Sequence, residues 1–184
     1  TVKKLEAKGK TDNKFTDTAV STFLNEYYAT RKLKIPNEYA FRDPRTNKLI
    51  EPFLMQLYIT QKLKQEPSFG NFSGTGAGKT LSAILATRFL KSKMILVVCP
   101  NDVVNHWNKF IVEIFPDSTV ISRKDAFSAK YDESKFQYLV INYDKLNQES
   151  SPNDIIKLIK QKIDFVILDE IHFSKITSKV QVSI

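Results

Sequence analysis

Apolar residues in this chain follow two rhythms. Some gather in short runs: Met-Ile-Leu-Val-Val-Cys at 94–99, unbroken, Phe-Gln-Tyr-Leu-Val-Ile-Asn at 136–142 and Asp-Phe-Val-Ile-Leu at 164–168, with a shorter, more polar stretch at 118–122. The run at 94–99, closed by Pro100, predicts a buried strand of a parallel sheet; the run at 136–142 predicts another strand, that at 164–168 the last core strand, and 118–122 is a short strand candidate. Elsewhere the spacing is helical. Val20, Phe23, Leu24, Tyr27 and Tyr28 predict a helix over 18–33, with Asp17 as its N-cap. Further helices are expected over 52–63, with Pro52 in the first turn, over 81–90, over 102–115, ended by Pro116, and over 152–162, capped by Ser151. Residues 1–17 are polar and read as a loose arm, 36–47 as a connecting loop and 123–135 as polar chain without a clear pattern. Strands alternating with helices predict an α/β fold with a mainly parallel sheet covered on both faces, preceded by a helical N-terminal segment.

Between the helix at 52–63 and the helix at 81–90 lies Ser73-Gly74-Thr75-Gly76-Ala77-Gly78-Lys79-Thr80, which holds three of the five glycines of the chain. A short apolar run at 69–72 precedes it and is expected to be a strand. Strand, glycine-rich turn and helix form the context of a phosphate-binding loop. Glycines let successive backbone N–H groups turn inward around an anion, and the following helix N-terminus adds partial positive charge. Lys79 is placed to reach the β- and γ-phosphates of a nucleotide, and the Thr80 hydroxyl to ligate Mg²⁺. Ser73 stands where a glycine is usual, which negative φ permits.

A second chemical cluster follows the run at 164–168. Asp169-Glu170-Ile171-His172 begins at the C-terminal end of that strand, the edge where open α/β sheets bind ligands. Nucleotide hydrolysis needs a carboxylate near Mg²⁺ and a second group to activate water. Asp169 is assigned the first role and Glu170 the second, with His172 in the same cluster. Both motifs follow strands, so both are expected to face one cleft.

Composition narrows the setting. The net charge of +8 suits a polyanionic partner without requiring one. The single cysteine, Cys99, rules out an intramolecular disulfide and fits a reducing, intracellular compartment, cytoplasm or nucleoid or nucleus. Residues 1–8 are basic without an apolar run behind them, so they do not form a secretory signal, and the apolar runs are too short to span a bilayer.

The spacing of these motifs resembles a known family. Gly-Thr-Gly-Ala-Gly-Lys-Thr at 74–80 followed by Asp-Glu-Ile-His at 169–172 looks like the first motor lobe of superfamily 2 helicases and translocases of the DExH type. Residues 97–107, with Pro100 ending a strand and Trp107 seven positions later, are similar to motif Ia of the Swi2/Snf2-like branch, although Asp102 replaces its usual serine. Residues 140–146 resemble that branch's strand-end motif with a tyrosine, and 167–175 its motif II. Residues 52–56 look like the segment whose glutamine contacts adenine, here Gln56. The resemblance covers roughly 50–175.

It implies a RecA-like P-loop NTPase lobe over 51–184, with 1–50 as an N-terminal arm and helical extension. ATP and Mg²⁺ are the implied cofactors, with Gln56 and residues 73–80 binding nucleotide. Lys79, Asp169, Glu170 and His172 are the catalytic set, and Thr80 and Asp169 hold Mg²⁺. Nucleic acid, DNA ahead of RNA, is the implied track. It is expected to meet the loops after the strands, at Pro100, Asn101, Asn142, Tyr143 and Lys145. Asn101 and Asp102 also suit capping of the next helix, and Trp107 is expected in the core. Such motors carry a Ser-Ala-Thr-type motif III and a second RecA-like lobe with arginine fingers. Neither is found here, so the chain is expected to be a piece of a longer motor and nearly inactive alone. Two other readings stay open: a P-loop phosphotransferase acting on a small molecule, and a catalytically silent nucleic-acid-binding or scaffold domain.

Overall fold

The computed structural model describes residues 2–7, 14–146 and 151–174. The chain divides into two compact units, residues 1–36 with 51–89 and residues 37–50 with 90–184.

The first unit is helical. Helices α1 (Val2–Ala7), α2 (Lys14–Arg31), α3 (Leu54–Leu63) and α4 (Lys79–Phe89) follow one another, and α3 packs against both α2 and α4. Part of the expected arm is therefore helical. Because α2 already runs at Lys14, Asp17 lies in its first turn rather than at its cap, where a carboxylate still suits the helix dipole. An ion pair joins α2 to α3: Lys62 Nζ lies 2.7 Å from Glu26 Oε1, and Tyr58 donates its hydroxyl to Glu26 Oε2 at 3.1 Å. The Lys62 ammonium holds the Glu26 carboxyl below its ordinary range.

Helix α3 begins two residues after Pro52. Phe53 is its N-cap, and the Phe53 N–H donates to Gln56 Oε1 at 2.9 Å. That side chain satisfies the cap N–H, as the glutamine of a capping box does, so the helix starts there and Pro52 stands outside it.

The expected strand at 69–72 does not form. Phe72 is 95% exposed and a Cβ on Gly70 would crowd the Phe72 ring. A strand needs a hydrogen-bonded neighbour and a buried face, and four residues broken by Gly70 and Asn71 present neither.

The second unit holds a four-stranded sheet, all parallel, in the order β2-β3-β1-β4. Its strands are β1 (Met94–Cys99), β2 (Ser118–Ser122), β3 (Phe136–Asn142) and β4 (Phe165–Leu168). Every residue of β1 is buried, as the unbroken apolar run requires of a central strand. Met94, Leu96 and Val98 share one face with Leu139 and Ile141 and pack with Phe127 and with Leu158 of α7 (Ser151–Lys160). Alternation sends Ile95, Val97 and Cys99 to the other face. Helix α5 (Val104–Ile114) packs against β2 and β3 through a stripe of Val104, Trp107, Ile111 and Ile114. The segment 37–50 closes the end of α5: the Ala40 N–H donates to the Ile114 carbonyl at 2.9 Å, and Tyr39 meets the Phe115 ring edge-on.

Strand β4 lies at the sheet edge and is fastened at both ends. The Asp164 carboxylate accepts the Lys93 N–H at 2.7 Å and the Met94 N–H at 3.2 Å, and the Asp169 N–H donates to the Val98 carbonyl at 2.9 Å. The polar stretch from 123 contains a 3-10 helix, Arg123–Ser128, and a single helical turn, α6 (Tyr143–Leu146), follows β3 directly. Helix α7 includes Ser151 as its first residue. Among the described residues no helix is long and apolar enough to cross a membrane.

Candidate functional site

The glycine-rich loop and α4 belong to the first unit. Gly76 (φ 79°) and Gly78 (φ 73°) both adopt left-handed backbone, a region glycine enters without a Cβ penalty. Ala77 between them has no such φ, and its N–H donates to the Gly74 carbonyl at 3.3 Å, closing a tight turn before α4. Gly74, Thr75 and Gly76 are exposed, whereas Ser73, Ala77, Gly78, Lys79 and Thr80 are half-buried. Asn71 Oδ1 accepts both the N–H and the hydroxyl of Ser73, which pins the loop entrance. Lys79 reaches back over the loop, its Nζ donating to the Ser73 carbonyl at 3.2 Å and the Gly74 carbonyl at 3.3 Å.

Gln56 braces this loop from below. It is 3% exposed, and while its Oε1 caps α3, its Nε2 donates to the Ala77 carbonyl at 3.2 Å and the Gly78 carbonyl at 3.5 Å. A Cβ at position 78 would collide with that same Nε2, so the glycine serves both the left-handed turn and the close approach of Gln56. Both polar ends of the side chain expected at adenine are thus engaged by the protein. Gln56→Ala leaves three backbone groups without this partner. It should lower unfolding free energy by roughly 1–3 kcal/mol and weaken nucleotide binding. Denaturant melts combined with nucleotide titration check this, and a stability loss with unchanged affinity would show that the loop does not need the brace.

The acidic strand end belongs to the second unit. Asp169 is half-buried and Glu170 exposed just beyond β4. Trp107, 1% exposed on α5, donates its indole N–H to Asp169 Oδ2 at 2.8 Å. Tyr143 donates its hydroxyl to the Asp169 carbonyl at 2.9 Å. Glu170 has φ 52°, a sparsely populated conformation for a residue with a side chain, and it marks the bend that turns the chain after the strand. Its Oε2 lies 3.3 Å from His172 Nδ1, both side chains being open to solvent. Burial, and then the Asp169 charge, push the Tyr143 hydroxyl and the Cys99 thiol up to about 12. Tyr143 therefore stays a protonated donor at neutral pH, and Cys99 an unreactive thiol.

A recess of about 720 Å³ opens at the C-terminal ends of β1, β2 and β3. Asn101, Asn142 and Lys145, all expected at nucleic acid, line it together with Val104, Ser122, Asp125 and Val140. Asn142 Nδ2 donates to Asn101 Oδ1 at 2.9 Å, joining the loops after β3 and β1. Pro100 is half-buried beside them, as N-cap of the 3-10 helix Asn101–Val103. Tyr143 departs from the expectation: it is 7% exposed and turned inward to Asp169, because its ring joins the cluster of Val98 and Ile141 and burial makes its hydroxyl take a protein acceptor.

Residues 48–182 match the protein family described as "Type III restriction enzyme, res subunit". The chain belongs to this family. A search of curated proteins returns no match. Among solved structures, the chain is similar to the Sulfolobus solfataricus SWI2/SNF2 ATPase core in complex with dsDNA, at a TM-score of 0.50 and 16% identity over 74% of this chain. The chain spans about a third of the length of that protein, 34%. The all-parallel sheet and its helices are those of a RecA-like lobe of the superfamily 2 helicase type, as the motif spacing implied.

Domains of this family's helicase type are generally ATPases, and the donors here fit Mg²⁺·ATP. Two left-handed glycines give the loop the tight backbone turn that a phosphate-binding loop needs. Among the described residues no group of three or more His, Cys, Asp or Glu side chains is arranged to hold a metal. Mg²⁺ does not require one: it keeps several waters and binds through one or two carboxylates plus substrate phosphates. A single half-buried Asp169 with one oxygen taken by an indole suits that demand.

Proposed function

We propose that this chain is the ATP-binding lobe of an ATP-dependent nucleic-acid motor, built on residues 51–184 with 1–50 as its extension. The observation that carries this reading is the glycine loop, whose two left-handed turns open at the first residue of α4 with Lys79 folded over it. In this reading the loop N–H groups and Lys79 bind the phosphates, Thr80 and Asp169 hold Mg²⁺, Glu170 accepts the proton of the attacking water, and His172 orients Glu170. Magnesium, when bound, neutralises charge on the phosphates. Asp-Glu-x-His sets this apart from a small-molecule phosphotransferase.

The track is nucleic acid, duplex DNA ahead of RNA, in keeping with the dsDNA carried by the similar ATPase core. Phosphates are taken at the recess by Asn101, Asn142 and Lys145, contacts that position without reading sequence. Binding is then sequence-independent and falls steeply with salt. A second RecA-like lobe completes the working motor, inside a cell. The test is ATP hydrolysis by the full-length protein with and without duplex DNA. Replacing Asn101 and Lys145 together with alanine should suppress DNA stimulation and leave basal hydrolysis intact. Stimulation that survives the double change would mean that nucleic acid is held elsewhere.

A further inference from the structure

Asp169, just beyond β4, is held by two donors from other elements. Trp107 takes Oδ2 from α5, and Tyr143 takes the backbone carbonyl from α6. Both donors are buried. An indole N–H can only donate, and inside a core it needs an acceptor. Its bond to a carboxylate is charge-assisted, which makes it one of the stronger ties in the unit. With Oδ2 occupied, Oδ1 is the oxygen left for a cation. The rotamer of the carboxylate is thereby set by a residue 62 positions away in the chain.

The same two elements wall the recess. Val104 lines it, and it sits one helical turn before Trp107 on the same side of α5. Asn101 lines it just upstream of α5. Asn142 lines it immediately before Tyr143, and Lys145 follows within α6. A displacement of either wall therefore moves a donor to Asp169.

We propose that Trp107 and Tyr143 are positioning residues that couple occupation of this recess to the Asp169 carboxylate, so that a nucleic-acid phosphate seated against Asn101, Asn142 and Lys145 tightens the hold on nucleotide-bound magnesium. The inference rests on the proposed function and adds to it the route of regulation. Coupling of this kind is reciprocal: the metal–nucleotide complex tightens nucleic-acid binding by the same factor, commonly about 5–150-fold.

The test uses Mn²⁺ as a spin-active substitute for Mg²⁺, a non-hydrolysable ATP analogue and duplex DNA, on the full chain. Trp107 is the single tryptophan of the protein and reports directly on its own surroundings. In the wild type, Mn²⁺ with the analogue should quench Trp107 fluorescence, and DNA should raise the Mn²⁺ affinity read by electron paramagnetic resonance. Trp107→Phe keeps an aromatic ring and drops the N–H; Tyr143→Phe drops only the hydroxyl. Trp107→Phe should weaken Mn²⁺ binding by about 10-fold or more, the usual effect of removing an outer partner of a metal ligand, and Tyr143→Phe, whose bond is to the Asp169 backbone carbonyl, should weaken it by less. Each should also blunt the gain from DNA while affinity for the metal-free analogue is unchanged. A residue that merely holds the fold would lower the melting temperature without singling out the metal. Should Trp107→Phe fail to fold, Tyr143→Phe and the wild-type quenching decide. A wild type that binds neither the analogue nor analogue-dependent Mn²⁺ overturns the proposed function. A wild type that binds both, with folded variants matching its Mn²⁺ affinity and DNA response, overturns the coupling alone.

Discussion

Glu170→Gln should bind Mg²⁺·ATP as the wild type does and hydrolyse it roughly 10²–10⁴-fold more slowly, the usual worth of a general base. The substitution keeps size and hydrogen bonding and removes only the carboxylate that accepts a proton from water. Stability should barely change. Glu170 is exposed, and His172, which lies 3.3 Å from it, is itself open to solvent, so the pair adds little to folding. The left-handed φ of Glu170 is kept by glutamine with the same strain. Single-turnover kinetics separate the two steps: nucleotide affinity from titration, chemistry from the hydrolysis rate in a pre-formed complex. Loss of binding and of turnover by the same factor would remove Glu170 from the proton-transfer role and place it among the groups that hold nucleotide.

Lys79→Ala should abolish ATP hydrolysis in the full-length protein and weaken adenine-nucleotide binding. The ammonium is the one formal positive charge within the glycine loop, 73–80, and it lies over the carbonyls of Ser73 and Gly74, within reach of an anion seated on the loop. Alanine leaves the backbone N–H cradle and both left-handed glycines in place. Residual weak binding of inorganic phosphate is therefore expected, and its loss would point instead to collapse of the loop. Thermal unfolding should shift little, since the Lys79 hydrogen bonds to Ser73 and Gly74 among the described residues are partly or fully exposed. Hydrolysis at the wild-type rate would show that this loop is not the catalytic one.

The sequence by itself determined those elements whose signals are local. Strands β1, β2 and β3 have the bounds that the sequence predicts, and in β1 the reason is plainest: a buried parallel strand announces itself by unbroken β-branched and aliphatic residues, here ending at a proline. The glycine loop was equally readable, since the left-handed backbone at Gly76 and Gly78 is open to glycine without a Cβ penalty, and its motif lies within eight consecutive residues. Tertiary structure decided the rest. Phe69 and Phe72 look like strand residues in isolation, yet a strand exists only where a neighbour accepts its hydrogen bonds, and 69–72 has none in the sheet. In the sequence Gln56 reads as an adenine contact; its bond to the Phe53 N–H and its contact with the loop carbonyls, the latter spanning 21 residues, came only with the structure. Trp107 could be assigned to the core from its apolar stripe; that its N–H ends on Asp169 could not. A hydrophobic pattern specifies which face is buried through area alone, and area has no direction. Hydrogen bonds do have direction, and their partners are chosen only when distant segments meet.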